Sequence, residues 1–400
     1  MPLDFFLGLL QFVLSHKLVI GFYLAVVLLL FLNRRKFQFQ LKFIALYRTT
    51  WGLGLMNRIA TRHREFVKLL GYIGIGAGFI GMLVVLLSLG IAVFIMLTVP
   101  NSPAQITPVI PGVQIPGVDK SFSIPFIEGI IAIFIIVVVH EFSHGVVAFA
   151  HGVKVKSSGP AIVGPIFAAF VEPDEQQLKK KSDVVNYSIF AAGSFSNFLL
   201  AFLALVFSVI VLAPISHTFL SEKVVMISDV TPGGPSWSAG LLPMIVESVN
   251  GQHVASEREL ISLLKVVKPN QTAVFSNGTK SVPVVAGSNS AFGDRGYFGV
   301  NIKSVYIYKE TKSAFFRIFY WISGLLDLIY KLSIGIGLGN MIPIGPLDGG
   351  KMLHLALSKI RGEAKANKTF GRLSLLLLLV ILFLLSPIFR AILKSVAGFF

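Results

Sequence analysis

Two histidines and a glutamate lie close together in an apolar part of the sequence. His140, Glu141 and His144 form a His-Glu-Phe-Ser-His run. Residues four apart lie on one face of an α-helix, so both imidazoles can reach the same ion. Neutral imidazole is a zinc ligand, and a glutamate beside it can take a proton from an activated water and pass it to a leaving amine. The run therefore predicts two metal ligands and a general base.

The surroundings of this run distinguish a metal site from a chance match. In a soluble chain the same pattern can arise by chance on a solvated helix face. Here it lies in residues 130–150, which are otherwise almost entirely apolar. An ionisable side chain is costly at bilayer depth, so its presence there indicates function. A buried polar packing network is the alternative interpretation.

A third metal ligand must come from elsewhere in the chain. Zinc needs at least one further protein ligand, and the sequence contains no cysteine. Asp348 is the strongest candidate because glycines and prolines interrupt the apolar segment around it. Broken backbone is tolerated at bilayer depth only where protein or a water-filled cavity satisfies its polar groups. Capping of a helix N-terminus is the alternative role for this aspartate.

Long apolar segments recur along the chain and predict how these residues are held. Hydrophobic residues make up 54% of the 400 residues and charged residues 14%, against about a quarter in soluble domains. A helix needs about 20 apolar residues to cross a bilayer. The fold class is therefore predicted as a polytopic α-helical membrane protein. About six spans are predicted: 5–32, 69–99, 126–150, 184–213, one net crossing in 314–358, and 373–396.

Two of these spans carry further signals. Residues 18–32 are not followed by a signal-cleavage pattern, so this segment is predicted to be retained as the first span. In the second span Gly71, Gly74, Gly78 and Gly81 recur every three or four residues. Small residues at this spacing predict close helix packing in lipid.

Basic residues account for the formal net charge of +16 and orient the spans. Lys and Arg near span ends favour the cytoplasmic side, and here they cluster in 34–48, 58–68, 179–181 and 359–372. Residues 100–125 and 221–310 are then external, in a multi-pass protein expected in the cell membrane. No nucleic-acid-binding module accompanies the charge, so nucleic acid is not an expected partner.

Three features in this order resemble the site-2 protease family of intramembrane zinc metalloproteases. They are the run 140–144, an external segment similar to a PDZ domain, and Asn340-x-x-Pro343 leading to Leu347-Asp348-Gly349. The resemblance covers most of the chain from about residue 126 onward. It implies one zinc ion held by His140, His144 and Asp348, with Glu141 as the catalytic residue. It also implies that Asn340 contacts the substrate backbone.

Two shorter segments match the family more weakly. Gly193 and Asn197 match a polar signature of the family's next span, which assigns Asn197 to substrate binding; a helix–helix contact is the alternative. Residues 157–175 contain Gly-Pro pairs and a short apolar run, which indicate extended backbone with turns. The family has a membrane-embedded hairpin there that could hold an unwound substrate as an added strand. A plain surface loop is the alternative.

Residues 221–310 are predicted to form a PDZ-like α+β domain. Asn250-Gly251 is a hairpin turn signal, and Ser256 with Glu259 forms a capping box before a helix at 260–267. The sequence has Pro243-Met244-Ile245 where the family often has Pro-Gly-Asp. A peptide-binding groove and a steric filter against bulky substrates are both open.

The predicted organisation has four parts. Residues 1–125 form N-terminal spans with a basic cytoplasmic loop and an external Pro-rich loop, and residues 126–220 form the first half of a catalytic membrane core. The PDZ-like domain, 221–310, separates it from the second half and the last span, 311–400.

The resemblance implies hydrolysis of peptide bonds in transmembrane segments, as in regulated intramembrane proteolysis. Transmembrane proteins are then the substrates, and the lipid bilayer is the other expected partner. A catalytically silent metal-binding scaffold that uses its PDZ-like domain is one alternative. A transporter is another, since broken helices also mark solute pathways.

Overall fold

The computed structural model describes residue 14 and residues 17–40, 44–99, 102–113, 115, 124–163, 166–289, 293–308 and 314–397. Residues 5–13 and 15–16 of the first predicted span, part of the predicted external loop and the Gly164-Pro165 turn lie outside these ranges. The chain separates into two units, Met1–Ser208 with Tyr320–Phe400, and Val209–Phe319.

The helices and strands are numbered along the chain. The helices are α1 (Lys17–Leu32), α2 (Leu53–Arg62), α3 (Arg64–Thr98), α4 (Phe126–Ala150), α5 (Glu175–Lys179), α6 (Asp183–Phe207), α7 (Ala213–Phe219), α8 (Pro235–Ser238), α9 (Glu257–Lys265), α10 (Ala314–Asn340), α11 (Asp348–Arg361), α12 (Glu363–Leu384) and α13 (Ser386–Ala397). A π-helical stretch, Ser208–Leu212, follows α6. The strands are β1 (Gln38–Gln40), β2 (Ile44–Leu46), β3 (Val155–Val163), β4 (Ile166–Pro173), β5 (Leu220–Val230), β6 (Met244–Val246), β7 (Ser248–Val249), β8 (Gln252–His253), β9 (Thr272–Ser276), β10 (Ser281–Val285) and β11 (Val300–Tyr308).

Long apolar helices dominate the first unit. Within the described ranges, five helical stretches are long and apolar enough to cross a membrane: Arg64–Thr98, Phe126–Ala150, Asp183–Ser216, Ala314–Asn340 and Glu363–Leu384. The apolar helix α1 has 16 residues. These helices confirm the prediction of a polytopic helical membrane protein, and the chain also has an α+β part. The sixth span stays a prediction.

Two predicted crossings are interrupted. Segment 314–358 ends its first helix at Asn340 and begins the next at Asp348, which is the break that the glycines and prolines indicate. The predicted span 373–396 is divided at Leu385, between α12 and α13. Pro387 lies in the first turn of α13, where its missing N–H costs no helical hydrogen bond.

The glycines of α3 allow close contact with α6. A Cβ on Gly71 would lie 2.2 Å from Ser188 Oγ, and one on Gly74 would lie 3.3 Å from Phe195 Cβ. A side chain at position 71 would force Ser188 to move, and one at position 74 would be in unusually tight contact with Phe195. The close packing predicted from the glycine spacing is thus confirmed.

A four-stranded antiparallel sheet with the order β1-β2-β3-β4 lies beside α4. The hairpin β3–β4 pairs from Val163 with Ile166 to Val155 with Pro173, so the predicted extended segment is a strand pair. The β1–β2 hairpin was not predicted and adds to β3. Arg48, two residues after β2, forms an ion pair with Glu172 at 3.0 Å. Because the strand order is β1-β2-β3-β4, β4 is an edge strand of this sheet, and it packs next to α4.

The second unit contains two small sheets with the orders β10-β9-β7-β8 and β11-β5-β6. Its core includes Ile227, Leu260, Phe275 and Val284. Ser256 accepts a hydrogen bond from the backbone N–H of Glu259, as the capping box predicts, although α9 begins slightly earlier than expected. Asn250 and Gly251 both have positive φ angles, of 51° and 78°, as the predicted tight turn requires. The unit is α+β.

Candidate metal centre

Helix α4 presents His140 and His144 one turn apart, and both side chains are buried. Upstream on the same helix, Ala132 and Ile136 pack in an apolar cluster with Ala204 of α6 and with Ile329 and Leu332 of α10. The polar face of α4 is therefore short and sits among apolar contacts.

The break between α10 and α11 delivers Asp348 to this face. Asp348 is the first residue of α11 and is 4% exposed, whereas the capping position belongs to Leu347. A Cβ on Gly349 would lie 2.1 Å from the carbonyl oxygen of Met341, and one on Gly350 would lie 2.5 Å from that of Ile344. The two glycines thus let the chain fold back tightly enough to bury the aspartate.

The three predicted ligands meet in a small triangle. Asp348 Oδ2 lies 3.1 Å from His140 Nε2 and 3.2 Å from His144 Nε2, and the two Nε2 atoms are 3.3 Å apart. Ligands at about 2.0 Å in a tetrahedral zinc site are separated by about 3.3 Å, which is 1.63 times the bond length. The triangle therefore has the size of one face of such a site. Asp348 Oδ2 is buried and has no hydrogen-bond partner beyond these imidazoles.

Gly193 of α6 leaves the space that an ion needs beside this triangle. A Cβ on Gly193 would lie 2.4 Å from His144 Nε2 and 2.5 Å from His140 Nε2. A side chain there would push both imidazoles aside. The buried acceptor oxygen and the open cradle together fit a metal ion held by three protein ligands.

Helix α6 also orients one imidazole. His144 Nδ1 lies 2.7 Å from the carbonyl oxygen of Ile189, which can only accept a hydrogen bond. The proton of a neutral His144 is therefore on Nδ1, and the lone pair of Nε2 faces the triangle. Such a contact on the far nitrogen fixes the ring and raises its basicity as a ligand.

Asn197 contacts the other imidazole. It is fully buried, and its Nδ2 lies 3.2 Å from His140 Nδ1, while its Oδ1 has no partner. A His140 that binds metal through Nε2 carries its proton on Nδ1. If the Asn197 side-chain amide is flipped, so that Oδ1 and Nδ2 exchange places, Oδ1 accepts a hydrogen bond from this N–H and is no longer without a partner. The sequence assigned Asn197 to substrate binding, whereas its polar contact is with a predicted ligand.

Glu141 lies beside β4. Its Oε2 accepts a hydrogen bond of 3.0 Å from the backbone N–H of Val171. The remaining oxygen of Asp348, Oδ1, accepts one of 3.4 Å from Lys351. Sequence patterns gave no signal for Ile189, Val171 or Lys351, because two of these contacts use backbone groups and the third is an ordinary i,i+3 pair.

Asn340 ends α10 close to the break. Its Nδ2 donates a hydrogen bond of 3.0 Å to the carbonyl oxygen of Ile336 in its own helix. The described contacts do not join it to the three-residue cluster, and its contact with a substrate stays a prediction.

A further buried histidine, His151, follows the last residue of α4. Its Nε2 lies 3.2 Å from Ser188 Oγ, and its ring packs against Tyr72. Burial, with the nearby ammonium groups of Lys68 and Lys181, lowers the pKa of His151 to about 4. It is therefore neutral at pH 7 and acts as a packed polar group outside the metal cluster.

Parts of this chain are similar to curated proteins. The chain is 27% identical over 231 residues to an uncharacterized protein of Methanocaldococcus jannaschii, a match that covers 56% of each chain. Over 58 residues it is 41% identical to proteins of Brucella suis and Brucella melitensis that are each named "Putative zinc metalloprotease". That match covers 14% of this chain and 15% of theirs. The chain thus spans about half the length of the first relative and a small part of the other two.

The model of peptidase family M50 matches residues 128–385. This range begins just inside α4 and ends after α12, so it includes all three residues of the triangle. These findings support a membrane metalloprotease, and the chain belongs to peptidase family M50, the site-2 protease family.

Proposed function

We propose that this protein is an intramembrane zinc endopeptidase that hydrolyses peptide bonds within transmembrane segments of other membrane proteins. The observation that carries the proposal is the buried triangle of His140, His144 and Asp348 between helices apolar enough to span a membrane. A carboxylate is costly in such surroundings unless it is paired or coordinates a metal. The donor set, two imidazoles and one carboxylate, suits a single zinc ion.

The residues have separate roles in this mechanism. A bound zinc ion would supply Lewis-acid polarisation of a peptide carbonyl and of the attacking water. Glu141 takes a proton from that water and passes it to the leaving amine. Ile189 and Asn197 orient the two imidazoles. Asn340 is proposed to hold the substrate backbone and would have to turn from Ile336 to do so.

The substrate must be extended before its peptide bond can be cleaved. In a helix the amide groups are hydrogen-bonded internally and surrounded by side chains. The open edge of β4, next to α4, offers main-chain groups to a substrate segment added as a strand. Strand addition at β4 therefore favours unwinding next to Glu141.

The second unit, Val209–Phe319, also has a role in the proposed function. Its two small sheets and capped helix α9 suit the PDZ-like domain that the sequence predicts. With the basic loops cytoplasmic, this domain lies outside the cell membrane and either binds peptide ends or excludes bulky substrates. Cleavage then follows removal of the substrate's external part by another protease, as in regulated intramembrane proteolysis.

Cleavage in proteoliposomes tests the function. The purified chain is mixed with single-span proteins that carry a helix-breaking residue toward the cytoplasmic leaflet, and fragments are identified by mass spectrometry. Cleavage is expected with the wild type, and not after zinc chelation or in Glu141→Gln. A wild type that binds zinc but cleaves no member of the set would favour the silent scaffold, and cleavage by Glu141→Gln would remove Glu141 from its role.

A further inference from the structure

Helix α4 and strand β4 approach closely at Gly145, one helical turn after Glu141. A Cβ on Gly145 would lie 3.3 Å from Val171 Cγ1 and 2.5 Å from Met56 Sδ. Both α2 and β4 therefore pack on the glycine that follows His144. At this approach the N–H of Val171 donates to Glu141 Oε2 at 3.0 Å.

The sheet pairing shows why this N–H is available. Val171 pairs with Ser158 of β3. Ser158 uses its N–H and its carbonyl oxygen to bond Thr49, at 3.0 and 2.9 Å, on the side away from β4. The two residues are therefore a non-hydrogen-bonded pair, in which both sets of backbone groups point away from the partner strand. The N–H of Val171 consequently faces α4 rather than β3.

The same rule applies two residues earlier on β4. Ala169 pairs with Pro160, whose carbonyl oxygen accepts from the N–H of Tyr47 on the far side. The N–H of Ala169 thus lies on the same open edge as that of Val171 but is not the one bonded to Glu141. Ala169 is therefore a matched control position for Val171.

We propose that the backbone N–H of Val171 positions the carboxylate of Glu141, so that the strand offered to the substrate also orients the general base. This inference rests on the proposed function and names the group that positions its general base. Glu141 has three side-chain torsions, and the contact with Val171 anchors one of its oxygens. Because Glu141 takes the Val171 donor, a substrate strand can use Ala169 but not Val171. Pairing then stops beside the base, which places the first unpaired peptide bond next to it.

Proline substitutions at the two edge positions test the proposal. Proline is tolerated on an edge strand where the N–H is outside the ladder, so Val171→Pro and Ala169→Pro each remove one outward donor. Val171→Pro should lower kcat roughly 10- to 100-fold, part of what a general base contributes, with KM and zinc affinity little changed. Ala169→Pro should raise KM, because a substrate donor is lost, and should lower kcat far less than Val171→Pro does. Val171→Ala keeps the N–H, so it should lower kcat far less than Val171→Pro does.

Equal kcat values for Val171→Pro and Ala169→Pro would overturn the proposal.

Hydrogen exchange resolved to single amides provides a second test that needs neither proline variant nor proteolysis. The Val171 amide should exchange about tenfold faster or more in Glu141→Ala than in the wild type, while the Ala169 amide is unchanged. Equal exchange at Val171 in the two proteins refutes the contact, and it does so even if no substrate is ever cleaved.

Discussion

The substitution Gly193→Ala should abolish tight zinc binding while leaving the helices intact. The added methyl carbon would lie 2.4 Å from His144 Nε2 and 2.5 Å from His140 Nε2. Unbonded heavy atoms rest at about 3.5 Å, so each nitrogen must retreat by about 1 Å. Ligand distances in metal sites hold to about 0.2 Å. Two of three ligands are then out of range, and zinc affinity should fall at least about 1,000-fold, or about 4 kcal/mol.

Competition with a chromophoric chelator in detergent measures this affinity, and circular dichroism follows the helices. The fold should survive because the atoms in the way are the ends of side chains and because alanine favours a helix over glycine by about 1 kcal/mol. Gly76→Ala is the matched control, since a Cβ there meets no atom within 4 Å. A Gly193→Ala protein that binds zinc within tenfold of the wild type would show that the ion does not sit beside Gly193.

Three further outcomes follow from the same contacts. Asn197→Ala should lower zinc affinity about 10- to 100-fold, whereas Asn197→Asp keeps an acceptor for His140 and should lose much less in the same chelator competition. Asp348→Ala should lose tight zinc binding, and retention of it would require a different third ligand. His151, with its pKa lowered to about 4 in the fold, stays neutral while an unfolded histidine is protonated below about pH 6.5. Stability should therefore fall as pH drops from 6.5 to 4, by up to roughly 3 kcal/mol, and thermal unfolding of His151→Gln should show a shallower slope over this range.

Part of the site could be predicted because its signals are local. The spacing of His140 and His144 fixes a shared helix face, and the glycines around Asp348 mark a break in an apolar segment. The turn at Asn250 and the capping box at Ser256 were predictable for the same reason, since each depends on a few neighbouring residues. Such patterns need no knowledge of which elements pack together.

The contacts that complete the site depend on packing between distant segments. Asn197 meets His140 across 57 positions of the chain, and the Ile189 carbonyl meets His144 across 45. A carbonyl or N–H is present at every residue, so nothing in the sequence marks Ile189 or Val171. The β1–β2 hairpin was also missed, because its three-residue strands are too short to show an alternating pattern.

The arrangement of α4 and α6 explains why a glycine and an asparagine stand four residues apart in the later helix. Ile189, Gly193 and Asn197 form one stripe along α6, just as His140 and His144 do along α4. The helices pass each other in opposite directions, so Ile189 meets His144, Gly193 lies against both rings, and Asn197 meets His140. One stripe thus provides an acceptor for each imidazole and, between them, the gap for an ion. Lipid offers no hydrogen-bond acceptor in their place, so a shift of α6 by one residue would leave both imidazoles without these partners and move a side chain into the gap.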